Sequence, residues 1–219
     1  MDSVWTIVVA GGSGLRFGMR KQFADLRGIS VLQRSVDAAG ACSTGVVVVV
    51  PADAVESTEI VAPSDTTVHV VAGGASRAES VRAGLAAIDD DCGVILVHDA
   101  ARPLASVALF RAVVDAVRAG ADAAVPGVAV ADTIRRRSGG VVDRDELLAV
   151  QTPQGFPADQ LRAAHRGAAE ATDDATLVER AGGSVVVVPG EAANRKITDP
   201  VDLLTAGAML DAAEGAEHA

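Results

Sequence analysis

The sequence predicts an α/β protein with a mostly parallel sheet flanked by helices. Short, almost wholly apolar runs recur along the chain, as fully buried strands require. Segments with helix caps or helical apolar spacing separate them. The first run also ends in a glycine cluster followed by cations, reading W-T-I-V-V-A-G-G-S-G-L-R-F-G-M-R-K-Q-F over residues 5–23.

Residues 4–10 have the length and composition of a buried strand. They stop at Gly11, Gly12 and Gly14 and then meet Arg16, Arg20 and Lys21. Glycines let backbone N–H groups approach a ligand with no side chain in the way. The cations beyond them point to an anion, with phosphate the obvious candidate. A tight strand-to-helix turn carrying surface arginines would use the same residues. The spacing fits neither G-x-x-x-x-G-K-[ST] nor a G-x-G-x-x-G dinucleotide fingerprint.

Ser30 can cap a helix running to about Ala41, and residues 45–51, with their valine run, form a second strand. Residues 52–66 are polar and hold a short helix, and 67–72 form a third strand. Gly73 and Gly74 lead to Ser76 and Glu79, a capping box, with Val81, Leu85 and Ile88 following at helical spacing. That turn reads either as a second anion- or polar-edge-binding loop or as a plain helix entry.

Residues 93–97 form a fourth strand ending in H-D-A-A-R-P, which puts Asp99 and Arg102 beyond its carboxyl end. Ligands of open α/β sheets bind there. A carboxylate beside phosphates suggests Mg²⁺, although Asp99 can also cap the next turn. His98 is read as structural. Ser106 caps a helix with Leu109, Phe110, Val113, Val114 and Val117 on its inner face, and residues 122–128 make a fifth strand.

Residues 129–150 change character: two extended runs flank a Ser-Gly-Gly turn, with poor apolar alternation. They are expected to form a projecting arm that pairs with another subunit, with Arg135, Arg136 and Arg137 in a solvated turn. T-P-Q-G-F-P at 152–157 is expected to be a turn into a helix from Ala158. Thr172 opens another helix closed by Gly182 and Gly183, residues 185–189 form a strand, and Asp199 and Pro200 start the last helix, which frays from Glu214. The expectation is one domain over 1–219 with an arm at 129–150.

Composition narrows the function. The 219 residues are 49% hydrophobic but carry one Trp, four Phe and no Tyr, so a base-stacking platform is disfavoured. A formal net charge of −10 disfavours duplex nucleic acid and anionic membranes. A phosphate-binding protein this acidic must concentrate its cations and is expected to use a divalent metal. Cys42 and Cys92 form no C-x-x-C pair, which fits a reducing, cytoplasmic setting. No secretory signal is expected, and no apolar run approaches the roughly 20 residues that span a bilayer. There are 17 arginines and only two lysines, Lys21 and Lys196, both inside motif-like stretches. A compact ammonium in place of a guanidinium suggests a specific task for each.

Taken together, the loop A-G-G-S-G-L-R with K-Q-F, then G-G-x-x-R-x-x-S-V, V-H-D-A-A-R-P, D-T-I-R, T-P-Q-x-F, T-D-D-A and N-R-K-I-T, resemble the 2-C-methyl-D-erythritol 4-phosphate cytidylyltransferase family. The resemblance implies a Rossmann-like nucleotidyltransferase fold, a homodimer and Mg²⁺. The implied reaction, a step of non-mevalonate isoprenoid precursor synthesis, joins CTP and 2-C-methyl-D-erythritol 4-phosphate, giving 4-diphosphocytidyl-2-C-methyl-D-erythritol and pyrophosphate. It also implies residue roles. Arg16 and Lys21 stabilise the transition state, and Lys196 orients substrates. Ala10, Gly11, Gly12, Ser13, Gly14, Gly74, Ala75 and Ser80 contact the nucleotide. Asp99 is the metal-side carboxylate, and Arg102, Thr133 and Thr172 contact the acceptor. Arg144 reaches the partner subunit's acceptor. The chain departs from the family pattern in having only residues 17–20 between Arg16 and Lys21, with Arg20 in place of a proline, and in carrying Ala193 where many relatives have a carboxylate. The alternatives are another polyol phosphate acceptor such as ribitol 5-phosphate, a non-catalytic nucleotide-binding homologue, or a sugar-nucleotide transferase using UTP or GTP.

Overall fold

The computed structural model describes residues 3–12, 20–167 and 171–217. An eight-stranded sheet organises them. Its strands are β1 (Val4–Val9), β2 (Gly45–Val50), β3 (Thr67–Ala72), β4 (Val94–Asp99), β5 (Ala123–Ala129), β6 (Leu148–Val150), β7 (Gln154–Pro157) and β8 (Val185–Pro189). The helices are α1 (Val31–Gly40), α2 (Arg77–Leu85), α3 (Val107–Arg118), α4 (Ala158–Ala164), α5 (Asp174–Arg180) and α6 (Pro200–Glu217). The strand order is β6-β5-β7-β4-β1-β2-β3, with β8 also paired to β5. β1 is parallel to both β2 and β4, β2 to β3, and β5 to β8, whereas β6 and β7 run antiparallel to their neighbours.

Strand periodicity divides the core in two. Val46, Val48 and Val50 face α1 and α3, packing with Leu32, Val36, Phe110 and Val113. Val47 and Val49 face the other way, with Val81 and Leu85 of α2, Leu161 of α4 and Val178 of α5. An unbroken valine run therefore serves both faces of one strand, as a doubly covered sheet demands. Helix entries follow the expected chemistry. Ser30 Oγ accepts from Gln33 N, Ser106 Oγ from Leu109 N and Asp173 from Thr176 N. Asp199 Oδ1 accepts from the N–H groups of Val201 and Asp202 at the start of α6.

Register sets the site. Val9 pairs with both Val49 and Asp99, so β1, β2 and β4 end level with one another. The chain passes outward from β1 through β2 to β3, then returns to place β4 on the other side of β1. That reversal is the topological switch point at which open α/β sheets hold ligands.

Three expectations need correction. Residues 152–157 are not just a turn. Gln154–Pro157 form β7, bonded along β4 and reaching β5 at Gly155. Gly155 is required there because a Cβ would lie 2.5 Å from Val113 Cγ1 of α3 and 2.9 Å from Leu96 Cδ2. The return half of the arm is not one extended run. Ile134–Arg135 pair with Val141–Val142 as a hairpin, Arg144–Glu146 make a 3-10 turn, and β6 then rejoins the main sheet. The short helix expected within 52–66 is a 3-10 helix at Ala52–Ala54. The last helix does not fray at Glu214 but continues to Glu217.

Candidate active site

A cleft of about 440 Å³ opens at the switch point. Its walls are Val9–Gly12 after β1, Lys21 and Gln22, the turn from Gly74 through Arg77 with Ser80, the stretch from Asp99 to Ala101 after β4, and Lys196. Among the described lining residues, Lys21, Arg77 and Lys196 set three cations against the carboxylate of Asp99. A protein of net charge −10 thus gathers positive charge in this cleft, which favours a polyanionic ligand.

Each wall is held by its own local chemistry. Gln22 is buried, and its Nε2 donates to the Ala10 carbonyl at 2.8 Å, tying the stretch around Lys21 to the end of β1. The capping box of α2 forms as its sequence predicts, with Glu79 N donating to Ser76 Oγ at 3.1 Å. Glu79 Oε2 in turn accepts the N–H groups of Ala75 at 2.6 Å and Ser76 at 3.2 Å. Both N–H groups are thus bound to the helix's own carboxylate, as in a helix entry, while the turn still lines the cleft. Gly74 belongs to this closure because a Cβ would sit 2.3 Å from Glu79 Cβ. Ser80 Oγ donates back to the Ser76 carbonyl at 2.9 Å.

Asp99 is fixed from behind and paired in front. His98 is buried, and its Nε2 donates to the Arg102 carbonyl at 3.2 Å. On those partners the neutral ring accepts the Thr152 hydroxyl at Nδ1 (3.1 Å), and Thr152 Oγ1 accepts the Asp99 N–H at 3.0 Å. The structural role expected for His98 holds. In front, Lys196 Nζ donates to Asp99 Oδ2 at 2.6 Å, and Arg77 Nε lies 3.7 Å from Oδ1. Burial pushes the Asp99 carboxyl up, but Lys196 and Arg77 more than reverse this and hold it at about 2. It is ionised throughout the working pH range.

The two lysines line one cleft from opposite ends of the chain. Ile197 N donates to the Ala101 carbonyl at 2.8 Å, and Asn194 Nδ2 donates to the Thr152 carbonyl at 2.9 Å. These bonds anchor the loop that carries Lys196 against the end of β4. Lys21 Nζ donates to the Ile197 carbonyl at 2.6 Å. The short connection before Lys21 therefore still brings it into the cleft. Arg20 pairs with Asp53 at 2.6 Å on the exposed surface.

The other sequence-derived candidates divide clearly. Ala10, Gly11, Gly12, Gly74, Ala75, Ser80, Asp99, Lys21 and Lys196 all line the cleft. Ser13, Gly14 and Arg16 lie outside the described residues. Arg102 is not among the lining residues, and its guanidinium bonds the carbonyls of Asn194 (2.8 Å) and Val150 (3.4 Å). Thr133, Arg144 and Thr172 are exposed and do not line the cleft, and Arg144 NH1 donates to the Ala131 carbonyl. Within one chain the structure does not bring these three to the site. Sequence reasoning passed over Arg77, Gln22, Thr152 and Asn194. All four stand inside the matched motifs, but no local pattern tells which motif side chains face inward.

Comparison with known proteins follows the same outline. The profile described as 2-C-methyl-D-erythritol 4-phosphate cytidylyltransferase matches residues 4–212. The chain belongs to that family. Relatives bearing that name include those of Nocardia farcinica, 47% identical over 95% of this chain and 94% of its own, and Rhodococcus jostii, 46% identical over 97% and 96%. Among solved structures, the enzyme of that name from Thermus thermophilus superposes with a TM-score of 0.79 at 36% identity, covering 95% of this chain and 98% of its own. The 4-diphosphocytidyl-2C-methyl-D-erythritol synthase of Anaerococcus prevotii gives 0.79 at 28% identity, over 95% and 98%. The fold of the family, a mostly parallel sheet covered by helices, is the fold of this chain, and its members are cytidylyltransferases.

Proposed function

We propose that the chain joins CTP to 2-C-methyl-D-erythritol 4-phosphate, releasing pyrophosphate, as the names of its relatives describe. The observation that carries the reading is the convergence of Lys21, Arg77 and Lys196 around Asp99 at the switch point. The acceptor's phosphate attacks the α-phosphorus of CTP, and the bond to the leaving pyrophosphate breaks. A phosphate monoester with a second pKa near 6 is largely dianionic at neutral pH, so no general base is needed. The barrier is the mutual repulsion of two polyanions, which fixed cations lower. Lys21 and Lys196 supply that charge from opposite ends of the chain. Arg16, outside the described residues, has the same role by its place in the loop motif.

The donor set suits Mg²⁺. Asp99 offers an ionised carboxylate in the cleft, while the described residues contain no group of three His, Cys, Asp or Glu that could hold a metal by themselves. Mg²⁺ ordinarily takes one or two carboxylates and completes its shell with phosphate oxygens and water. Asp99 would hold it, and the ion would neutralise charge on the triphosphate.

The arm at 129–150 is read as a dimerisation element, with Arg144 serving the partner's acceptor site. Leu148 and Val150 on β6, with Val186 and Val187 on β8, leave apolar surface exposed where both strands flank β5. A second copy of the chain would cover it. Free Cys42 and Cys92 suit a reducing cytoplasm, and no described helix is long and apolar enough to cross a membrane. Pyrophosphate release should be measured with CTP, UTP or GTP, with and without Mg²⁺, using methylerythritol phosphate or ribitol 5-phosphate as acceptor. Release only with CTP, Mg²⁺ and methylerythritol phosphate is expected. Preference for ribitol 5-phosphate, or no release, would replace this reading.

A further inference from the structure

Behind the cleft lies a second pair of ionisable groups that the reaction does not touch. His165 caps the carboxyl end of α4, and Asp174 is the first residue of α5. Each has a side chain only 1% exposed. His165 Nε2 donates to Asp174 Oδ1 at 3.0 Å, and Asp174 Oδ2 accepts from Arg77 NH1 at 2.6 Å. Arg77, the first residue of α2, is 25% exposed and lines the cleft, where its Nε faces Asp99. The helices α2, α4 and α5 cover the same sheet face, which is how residues nearly a hundred positions apart meet.

Removing a carboxylate from water is costly, and a buried polar pair seldom stabilises more than an apolar replacement. Such a pair is better explained by what it orients. Asp174 uses one oxygen on His165 and the other on Arg77, so its carboxyl plane is set from behind. The guanidinium is then held between Asp174 and Asp99, with its position decided before any ligand arrives. Electrostatic catalysis needs charges that do not reorganise during the reaction.

We infer that His165 and Asp174 are positioning residues, which act on the substrate site solely by fixing Arg77 at the wall of the cleft. This rests on the cleft being the CTP site proposed above. Arg77, in contact with ligand, is the working group, and the buried pair is its mount.

The test is a double-mutant cycle on the full chain, with thermal unfolding recorded for every variant. Asp174→Asn should lower kcat/KM for CTP by roughly 10-fold, the lower end of what supporting groups behind a site contribute. In an Arg77→Met background the same change should cost nothing further. His165→Gln, which keeps an N–H for Asp174, should stay within about 3-fold of wild type, and His165→Leu should match Asp174→Asn. Wild-type kcat/KM in Asp174→Asn, or an equal loss from Asp174→Asn in both backgrounds, would overturn the inference. So would equal losses in His165→Gln and His165→Leu. If Asp174→Asn does not fold, the His165 comparison decides alone. Calorimetric titration of CTP into the same proteins separates the two readings. A wild type that binds CTP without turnover defeats the proposed reaction, while its Kd across the cycle still decides the positioning role by the same criteria.

Discussion

Lys21 Nζ donates to the backbone carbonyl of Ile197 over 2.6 Å, joining residues 176 positions apart. Through that bond the first loop of the chain braces the segment that delivers Lys196 to Asp99, itself a 2.6 Å contact. The two lysines are therefore coupled parts of one wall.

Lys21→Ala should abolish most turnover while the fold survives. Loss of a single fixed donor to a developing oxyanion costs about 10²–10³ in rate, about 3–4 kcal/mol. Steady-state kcat with CTP and methylerythritol phosphate, beside circular dichroism, measures both. A kcat near wild type would show that Lys21 only braces the loop.

Arg144 should act in trans. Arg144→Ala and Lys21→Ala proteins, each nearly inactive alone, should regain activity when mixed and allowed to exchange subunits, because one site of the mixed dimer is whole. No recovery above the parents, with exchange verified by differently tagged chains, would remove the arm from the site.

Stability should fall in two acid steps. Burial pushes the His98 ring down from 6.5 to about 4, with Asp99 only partly opposing it. As pH falls below 6.5 the unfolded chain gains a proton that the native one refuses until about pH 4. The contribution of neutral His98 is therefore complete above pH 6.5 and is lost between there and 4, amounting to about 3 kcal/mol. Asp99 lies at about 2 against an ordinary 3.8, so its contribution is present above 3.8 and lost as pH falls toward 2. Urea midpoints across pH 3–8 should show the first step in wild type and not in His98→Gln. An unchanged slope in that variant would exclude His98 as its source.

Gly155→Ala should destabilise the protein by about 1–3 kcal/mol, because the new methyl meets Val113 and Leu96 at less than 3 Å in a packed interior. The urea midpoint should drop with the m-value unchanged. A stable variant would mean that α3 can lift from β7 without cost.

What the sequence determined by itself was whatever local chemistry writes: the valine strands, the serine and aspartate caps, the α2 capping box, the glycine break after β1 and the two isolated lysines. These depend on neighbours within a few positions, so they can be read from the chain. Residues 154–157 were missed because a short, proline-bounded, glycine-containing segment has no strand signature of its own. Strands β4 and β5 and helix α3 make it a strand. The mounting of Arg77 on Asp174 and His165 and the meeting of Lys21 with Ile197 belong to the tertiary structure alone. Those contacts exist only once sheet register has levelled the strand ends and helix packing has brought distant segments within hydrogen-bond reach. No local pattern encodes a partner that far along the chain.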